Sequence, residues 1–555
     1  MKFDRISAVF GLPTCPAFAA DCTTAAFSEI LADIPEASVN YVGRVPEGGS
    51  FGIPSLAFPS NATGLPAVCA VSVNVRSSPN SSYNFGLFLP DTTWNERFLA
   101  TGNGGFGGGI NWPDMGRMAQ YGFATMSTDT GHNSKSDDAS WALNAPETIN
   151  DWGHRAMHGS VTLAKSVVEA YYGGGGGGIR YSYYASCSTG GRQGLREIQL
   201  HPDSFDGIAV GAPAWWTTHL AAGSLMMPLN NYPDDDPKHI DGSLFGAIEA
   251  EMLRQCDPQD GVADGIASDP FGCAFDFEAL LCDAPSSSPK SPSSAECLTA
   301  EQLETARATY SDLVFADDDG GDGGSGDGSV FVFPGLPLGT NPGFALGGFT
   351  QYGYGLFRYF VHNDSTWDYT RFALQDVRKA DEINPARASA HDFDDMARFA
   401  DRGGKVLMYH GTADSLIPAG SSLVFHDAVG KAMASGGRDG GADVDDFFRF
   451  FLVPGMEHCS GSATAPWYIA GGSQPLAGTT HSVPGFMDAD HDVILAMMKW
   501  VEEGSAPEKL VATKFKGDNA TAGVQSQRPL CVYPRQAKYQ GAGDVDMPEN
   551  WECEI

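Results

Sequence analysis

Between about residues 95 and 212, short apolar runs such as Phe98-Leu99-Ala100 and Gly207-Ile208-Ala209-Val210 alternate with longer helix-like segments, His158 to Tyr171 among them. Such an alternation predicts a parallel sheet covered on both faces, with strands joined by helical crossovers. From about 213 to 395 it is lost to proline, aspartate and cysteine clusters and to the aromatic-rich stretch Gln351 to Phe360. It returns with strand-like Lys405 to His410 and Phe448 to Val453, followed by a helix near Asp490 to Glu503. A chain that begins a sheet, leaves it and comes back predicts one α/β domain with an insertion. We expect residues 20–212 and 396–555 to form that domain and 213–395 to form a lid. Low-complexity Gly173 to Gly178 and Asp317 to Ser329 read as surface loops, and no internal repeat is present.

Composition removes several function classes. Of 555 residues, 68 are Asp or Glu and 34 are Lys or Arg, a net charge of −34 that repels phosphate backbones and anionic lipid surfaces. Nucleic acid and membrane partners are therefore not expected, and nothing in the sequence fixes an oligomeric state. The 42% hydrophobic content supports a large buried core. Residues 1–19 read as a weak signal peptide: Lys2 and Arg5 precede a modestly apolar stretch, which ends at the Ala17-Phe18-Ala19 cleavage pattern. A misread gene start is the alternative. Cleavage after Ala19 removes Cys15 and leaves ten of eleven cysteines, an even number that suits five disulfides in an oxidising compartment. No CxxC pair points to zinc. Four Asn-x-Ser/Thr triplets, at Asn61, Asn80, Asn363 and Asn519, agree with secretion.

Chemistry enters at Tyr181-Ser-Tyr-Tyr-Ala-Ser-Cys-Ser-Thr-Gly-Gly-Arg-Gln-Gly194, which reads as a strand, a tight turn and the start of a helix. A nucleophile elbow needs small residues around the serine, because the turn is strained and bulky neighbours clash. Here the pattern is Ser186-Cys187-Ser188-Thr189-Gly190, with serine in place of the usual first glycine. Taken alone, the match is no better than an ordinary Gly-Gly turn. Downstream, the strand at 406–409 leads into a loop carrying Asp414, and the strand at 450–453 leads into Pro454-Gly-Met-Glu-His458-Cys459. Serine, acid and histidine follow in the chain order of α/β-hydrolases, each just past a strand's carboxyl end, where switch-point geometry gathers loops. That combination outweighs the bland readings of each residue. For the oxyanion, Thr189 N–H is one donor, and the Gly-rich loop Thr101 to Gly107 offers Gly104 or Gly105 as the second. Aromatic residues Trp215, Trp216, Tyr352, Tyr354 and Phe357 in the insertion read as core rather than as site residues.

The paired Cys187-Ser188 and His458-Cys459 doublets, with Asp414 between them, resemble the tannase and feruloyl esterase family. Ser182-Tyr-Tyr-x-x-Cys-Ser-Thr-Gly-Gly-Arg-Gln-Gly194 and Pro454-Gly-Met-Glu-His-Cys459 carry the likeness, which extends from about Cys22 to Cys553. The resemblance implies an α/β-hydrolase core with a large inserted lid, and a secreted serine carboxylesterase acting on esters of aromatic hydroxy acids. The substrate it implies is either a feruloyl ester of plant cell-wall polysaccharide or the galloyl ester of a tannin. A non-hydrolytic phenolic or glycan-binding protein on the same scaffold is the reading from another class, and a complete triad argues against it. The resemblance also implies disulfides Cys187–Cys459, Cys22–Cys69, Cys256–Cys273, Cys282–Cys297 and Cys531–Cys553.

One further loop, Cys256-Asp-Pro-Gln-Asp-Gly-Val-Ala-Asp-Gly-Ile266, places three carboxylates within eight residues, with a proline and two glycines that exclude a helix. Hard oxygen ligands suit Ca²⁺, but the spacing is not that of an EF-hand, and the pattern by itself favours solvated Asp-Gly turns. The family resemblance implies a structural Ca²⁺ held by Asp257, Asp260 and Asp264 side chains with Val262 and Ile266 carbonyls.

Overall fold

The computed structural model describes residues 20–173, 178–282, 297–316, 328–435, 443–479 and 481–555. The expected signal peptide and most of both low-complexity stretches lie outside these residues. The main sheet has nine strands: β1 Ala37–Val45, β2 Val68–Ser78, β3 Ser81–Pro90, β4 Arg97–Ala100, β5 Ala124–Thr128, β6 Tyr181–Cys187, β7 Gly207–Gly211, β8 Lys405–Gly411 and β9 Phe448–Val453. Their order across the sheet is β1-β2-β3-β5-β4-β6-β7-β8-β9. The first three strands pair antiparallel and β3 joins β5 antiparallel; from β5 to β9 every pairing is parallel. This is an α/β-hydrolase fold.

Alternate side chains of the parallel strands enter different cores, which is why those strands read as unbroken apolar runs. Val406 and Met408 of β8 face one cluster with Ile208 and Val210 of β7, beneath helices α1 (Ala156–Tyr172), α2 (Thr189–Leu200) and, further along the chain, Gly420–Ser435. Leu407 and Tyr409 face the other, with Ala209, Phe451 and the helix Val493–Glu503. Between β7 and β8 the described residues contribute no strand to the main sheet. Helix α3 (Thr217–Asn230) packs there with Phe333, Leu356 and Phe357 in a third core, which also takes in Phe106 and Trp152 of the sheet domain. A smaller core around Ile240, Ile248, Met252 and Leu303 lies beyond it.

Strand register prepares the site. Cys187 is level with Gly211, Gly211 with Tyr409, and Gly411 with Val453. The chain leaves β6 at Ser188, while Asp414 and His458 follow shortly after the ends of β8 and β9, so three loops emerge side by side at one sheet edge.

Candidate active site

Ser188 sits between β6 and α2 with φ 63° and ψ −129°, a conformation that L side chains rarely adopt. The neighbours explain how it is held. A Cβ on Gly190 would lie 2.0 Å from Ser186 Oγ, and one on Gly191 would lie 2.8 Å from the Gly211 carbonyl. Tyr184 of β6 donates its hydroxyl to the Gly190 carbonyl at 2.6 Å, and the Ser188 N–H donates to Gly211 at 2.9 Å. Ser186 stands where the usual glycine would be, and Gly472 packs against its backbone: a Cβ on Gly472 would lie 2.6 Å from Ser186 Cα.

The structure brings Ser188, Asp414 and His458 together. His458 Nε2 is 2.9 Å from Ser188 Oγ, and His458 Nδ1 is 2.7 Å from Asp414 Oδ2. A ring nitrogen facing a carboxylate carries the proton, which leaves Nε2 free to accept from the serine hydroxyl. Asp414 is fully buried. Burial alone would push its carboxyl up, but the charge and hydrogen bonds of His458, together with a bond from His410, outweigh burial and hold it well below the usual carboxylate range. Its other oxygen, Oδ1, accepts from the N–H groups of Leu416 at 2.9 Å and Ile417 at 2.8 Å.

His410 is a neighbour that sequence reasoning missed. Its Nε2 lies 3.2 Å from Asp414 Oδ2 and 2.8 Å from the Ile417 carbonyl, and its Nδ1 lies 2.8 Å from Ser422 Oγ. Nothing in a strand ending Tyr409-His410-Gly411 distinguishes a buried histidine beside the acid from an edge residue. Arg192 and Gln193, within the quoted motif, also gain an explanation. Gln193 Oε1 accepts from the Asn103 N–H at 3.0 Å, which ties the Gly-rich loop to the nucleophile's helix. Arg192, fully buried and pushed down to about 9 by that burial, lies 4.4 Å from the Trp152 ring centre and donates to the Gly153 carbonyl.

A cleft of about 490 Å³, counting its open mouth, lies over Ser188. Phe106, Trp152, Leu220, Ala221, Leu416 and Ile417 form its apolar wall, and Thr217, Ser224 and Tyr352 its polar edge. Of the five insertion aromatics, Tyr352 reaches this cleft, whereas Trp215 and Phe357 are buried in cores, Trp216 stacks on His219 and Tyr354 on Tyr369. Trp152 and Phe106, which the sequence did not single out, line the same cleft. Thr189 also lines the cleft and opens α2, where a first-turn N–H has no partner within the helix. Gly105 lines it too, with φ 55°, while Gly104 does not, and a Cβ on Gly104 would meet nothing within 4 Å.

All five disulfides implied by the resemblance are present: Cys22–Cys69, Cys187–Cys459, Cys256–Cys273, Cys282–Cys297 and Cys531–Cys553. The second joins the residue before the serine to the residue after the histidine, with Cα atoms 6.0 Å apart.

In the acidic loop, the expectation that no helix forms needs correction: Asp257–Asp260 make a single 3-10 turn, ended by Gly261 at φ 92°. Asp257 accepts from the N–H groups of Asp264, Gly265 and Ile266, and Asp260 from Val262 N–H and Ser268 Oγ. Asp264 Oδ2 accepts from Arg528, whereas its Oδ1 is buried without a partner. Burial, reinforced by mutual repulsion, pushes the Asp260 and Asp264 carboxyls up despite hydrogen bonds from Ser268 and Arg528 respectively. An all-oxygen donor set with one orphaned buried carboxylate oxygen fits a hard cation.

Fold, cleft and side-chain geometry define a carboxylic ester hydrolase of the α/β-hydrolase class. The family model "Tannase and feruloyl esterase" matches residues 67–326 and 353–554. The chain belongs to that family. It is 35% identical over 490 residues to a probable feruloyl esterase B-1 of Neosartorya fischeri, covering 87% of this chain and 86% of the relative. It is 32% identical over 530 residues to one of Aspergillus flavus, covering 94% and 93%. The crystal structure of feruloyl esterase B from Aspergillus oryzae superposes with a TM-score of 0.82 at 32% identity, over 96% of this chain and all of that one. The fold is shared with tannin acyl hydrolase from Aspergillus niger, at a TM-score of 0.70 and 21% identity over 97% of this chain and 96% of that one. Among the described residues, no helix is long and apolar enough to cross a membrane.

Proposed function

We propose that this chain is an extracellular serine esterase that releases hydroxycinnamic acids such as ferulate from plant cell-wall polysaccharides. The observation that carries the reading is His458 bridging Ser188 and Asp414 at hydrogen-bond distances beneath an aromatic-walled cleft. Ser188 Oγ attacks the ester carbonyl while His458 Nε2 takes its proton, and Asp414 stabilises the imidazolium. Thr189 and Gly105 N–H groups donate to the oxyanion; a well-aimed donor of this kind contributes roughly 3 kcal/mol. His458 returns the proton to the departing alcohol, and water, activated by the same imidazole, hydrolyses the acyl-enzyme.

The feruloyl reading is preferred to the galloyl one because the wall is mostly apolar. A methoxylated ring with one phenol suits it, whereas a galloyl ring brings three hydroxyls that each need a partner when desolvated. Its relatives at 32–35% identity bear feruloyl esterase names. Five disulfides favour an oxidising, extracellular setting, and the triplet asparagines Asn61, Asn80 and Asn363 are exposed, with Asn519 half-buried, as glycan acceptors would be. In the acidic loop, Asp257, Asp260 and Asp264 with the carbonyls of Val262 and Ile266 would hold Ca²⁺, which on binding supplies charge neutralisation and a cross-link within the insertion.

Release of acid from methyl ferulate and methyl gallate tests the assignment. The wild type should favour ferulate and Ser188→Ala should be silent on both; equal rates from the two proteins would sink the role of Ser188, and faster gallate turnover would make this a tannase. For the metal, a chelator should lower the melting temperature, and an identical melt with and without it removes the calcium assignment.

A further inference from the structure

The far end of the nucleophile's helix carries a cluster that ester hydrolysis does not use. Glu197 lies in the last turn of α2 and His201 just beyond it, at i and i+4 on one helix face, while His158 reaches over from α1. One ligand atom from each, two imidazole nitrogens and a carboxylate oxygen, all lie within 4.8 Å of one another; among the described residues no other group of three His, Cys, Asp or Glu side chains does this. Glu197 is buried, at 1% exposure, yet among the described residues it pairs with no Arg or Lys: its Oε1 takes His158 Nδ1 at 2.9 Å and the Ser204 hydroxyl at 2.7 Å. His158 and His201 are half-buried, so the cluster opens to solvent on one side. The two rings stack with centres 3.4 Å apart, and neither ring nitrogen of His201 hydrogen-bonds to another described residue.

We propose that His158, Glu197 and His201 form a binding site for a first-row divalent transition metal such as Zn²⁺, separate from both the triad and the acidic loop. Imidazole nitrogen selects Zn²⁺, Ni²⁺ or Cu²⁺ over Ca²⁺ and Mg²⁺, which take oxygen ligands. A tetrahedral Zn²⁺ with bonds near 2.1 Å separates its ligand atoms by about 3.4 Å, so the His158–Glu197 pair at 2.9 Å opens by about 0.5 Å while atoms up to 4.8 Å apart close by at most about 1.4 Å, with the His201 ring turning edge-on out of its stack. The proton between His158 and Glu197 leaves as the ion enters, water completes the fourth position, and Ser204 holds the carboxylate from behind. With a rise of 1.5 Å per residue, Glu197 and His201 lie about 14 and 20 Å along α2 from Ser188. The metal therefore pins α2 to α1 and leaves the basal chemistry alone.

Isothermal titration of the full chain at neutral pH, in millimolar calcium to saturate the acidic loop, tests this with ZnCl₂ as the probe and MgCl₂ as control. The expected result is one Zn²⁺ per chain at roughly micromolar affinity, no Mg²⁺ heat, and a melting temperature raised by a few degrees at saturation. His201→Ala, at a half-buried position beyond the helix end, should keep wild-type methyl ferulate hydrolysis and weaken Zn²⁺ binding at least about tenfold. Co²⁺ should give a four-coordinate absorption band in the wild type that His201→Ala lacks. Absence of Zn²⁺ binding to the wild type, or an affinity equal to the wild type's in either His201→Ala or His158→Gln, overturns the proposal.

Discussion

Replacing Cys187 and Cys459 together by alanine separates what their bond contributes to stability from what it contributes to chemistry. The bond spans 272 residues of sequence, and a chain-entropy estimate for closing so long a loop is about 5 to 6 kcal/mol, less any native strain. The structure also shows what would still hold the histidine's loop without it: Ala413 N–H to Met456 at 3.0 Å, Glu457 N–H to Gly461 at 2.9 Å and Gln474 Nε2 to the Cys459 carbonyl at 3.1 Å. The loop therefore stays folded but is no longer fastened to the turn before Ser188, where Cys187, Ala212 and Cys459 form their own small buried cluster. The proposed mechanism depends on the 2.9 Å separation of His458 and Ser188, and a misplacement of about 1 Å costs on the order of 100-fold in rate. We expect kcat on methyl ferulate to fall by about 10- to 100-fold with KM changed by less than about threefold, because the cleft wall is untouched. Urea unfolding should show a lowered midpoint. A folded double variant with wild-type kcat refutes the geometric role, and an unchanged midpoint refutes the entropic one.

Three further outcomes follow from named contacts. Gly105→Ala places a Cβ 2.2 Å from the Ser136 carbonyl at φ 55° and should lower kcat by about 10²- to 10³-fold, whereas Gly104→Ala, with open space around it, should be near neutral; the reverse pattern moves the donor to Gly104. Asp414→Asn keeps the shape but turns an N–H toward His458 Nδ1, fixing the wrong tautomer, and should lower kcat by about 10⁴-fold in a folded protein; a loss under about tenfold removes Asp414 from its role. Burial pushes the Asp129 carboxyl up to about 6 despite hydrogen bonds from Asn84 and Gly131. A raised value makes its stabilising contribution complete below about pH 4 and lost as pH rises through about 6, a change of roughly 2 to 3 kcal/mol. Asp129→Asn should flatten that part of the stability profile in urea titrations at about pH 4.5 and 6.5, and an unchanged slope would clear Asp129 of it.

The parallel half of the sheet was legible because strands buried on both faces must be apolar throughout, so β6, β7, β8 and β9 stand out as runs bounded by glycine and proline. Among the antiparallel strands, β1 gives little signal because it is mostly a mixture of exposed and half-buried positions, whereas β2 and β3, though largely buried, interrupt their apolar runs with Ser72, Asn74, Asn84 and Gly86. The hairpin Gln536–Tyr539 with Trp551–Glu554 is mostly exposed and went unread like β1, while the one at Lys509–Phe515 with Val524–Cys531, though buried, carries polar Thr513, Lys514, Gln527 and Arg528 within its strands. At the site, the residues that do the proposed chemistry were legible and those that shape the cleft were not. A nucleophile, an acid and a base sit at fixed places relative to strand ends, so local pattern exposes them. Trp152, Phe106, Leu416 and Tyr352 reach the same cleft from four separate segments, and only tertiary contact makes them neighbours.

That division bears on where this enzyme's specificity is written. The wall opposite Ser188 is drawn from α3 and Tyr352 of the insertion as well as from Phe106 and Trp152, which share one apolar core with it. The elbow, by contrast, is boxed in on every side: Gly190 by Ser186, Gly191 by Gly211, and Ser186 by Gly472. A side chain added at any of those glycines strikes backbone or a short, immobile neighbour, and the strained φ of Ser188 persists only while they remain small. Leu220, Ser224 and Tyr352 carry no such constraint from the catalytic turn, so substitutions there can change which acyl ring fits while leaving the 2.9 and 2.7 Å contacts of His458 intact. Selection for a new ester would therefore act on the inserted segment, where it alters ground-state fit and KM, before it acts on the sheet edge, where almost any change removes kcat.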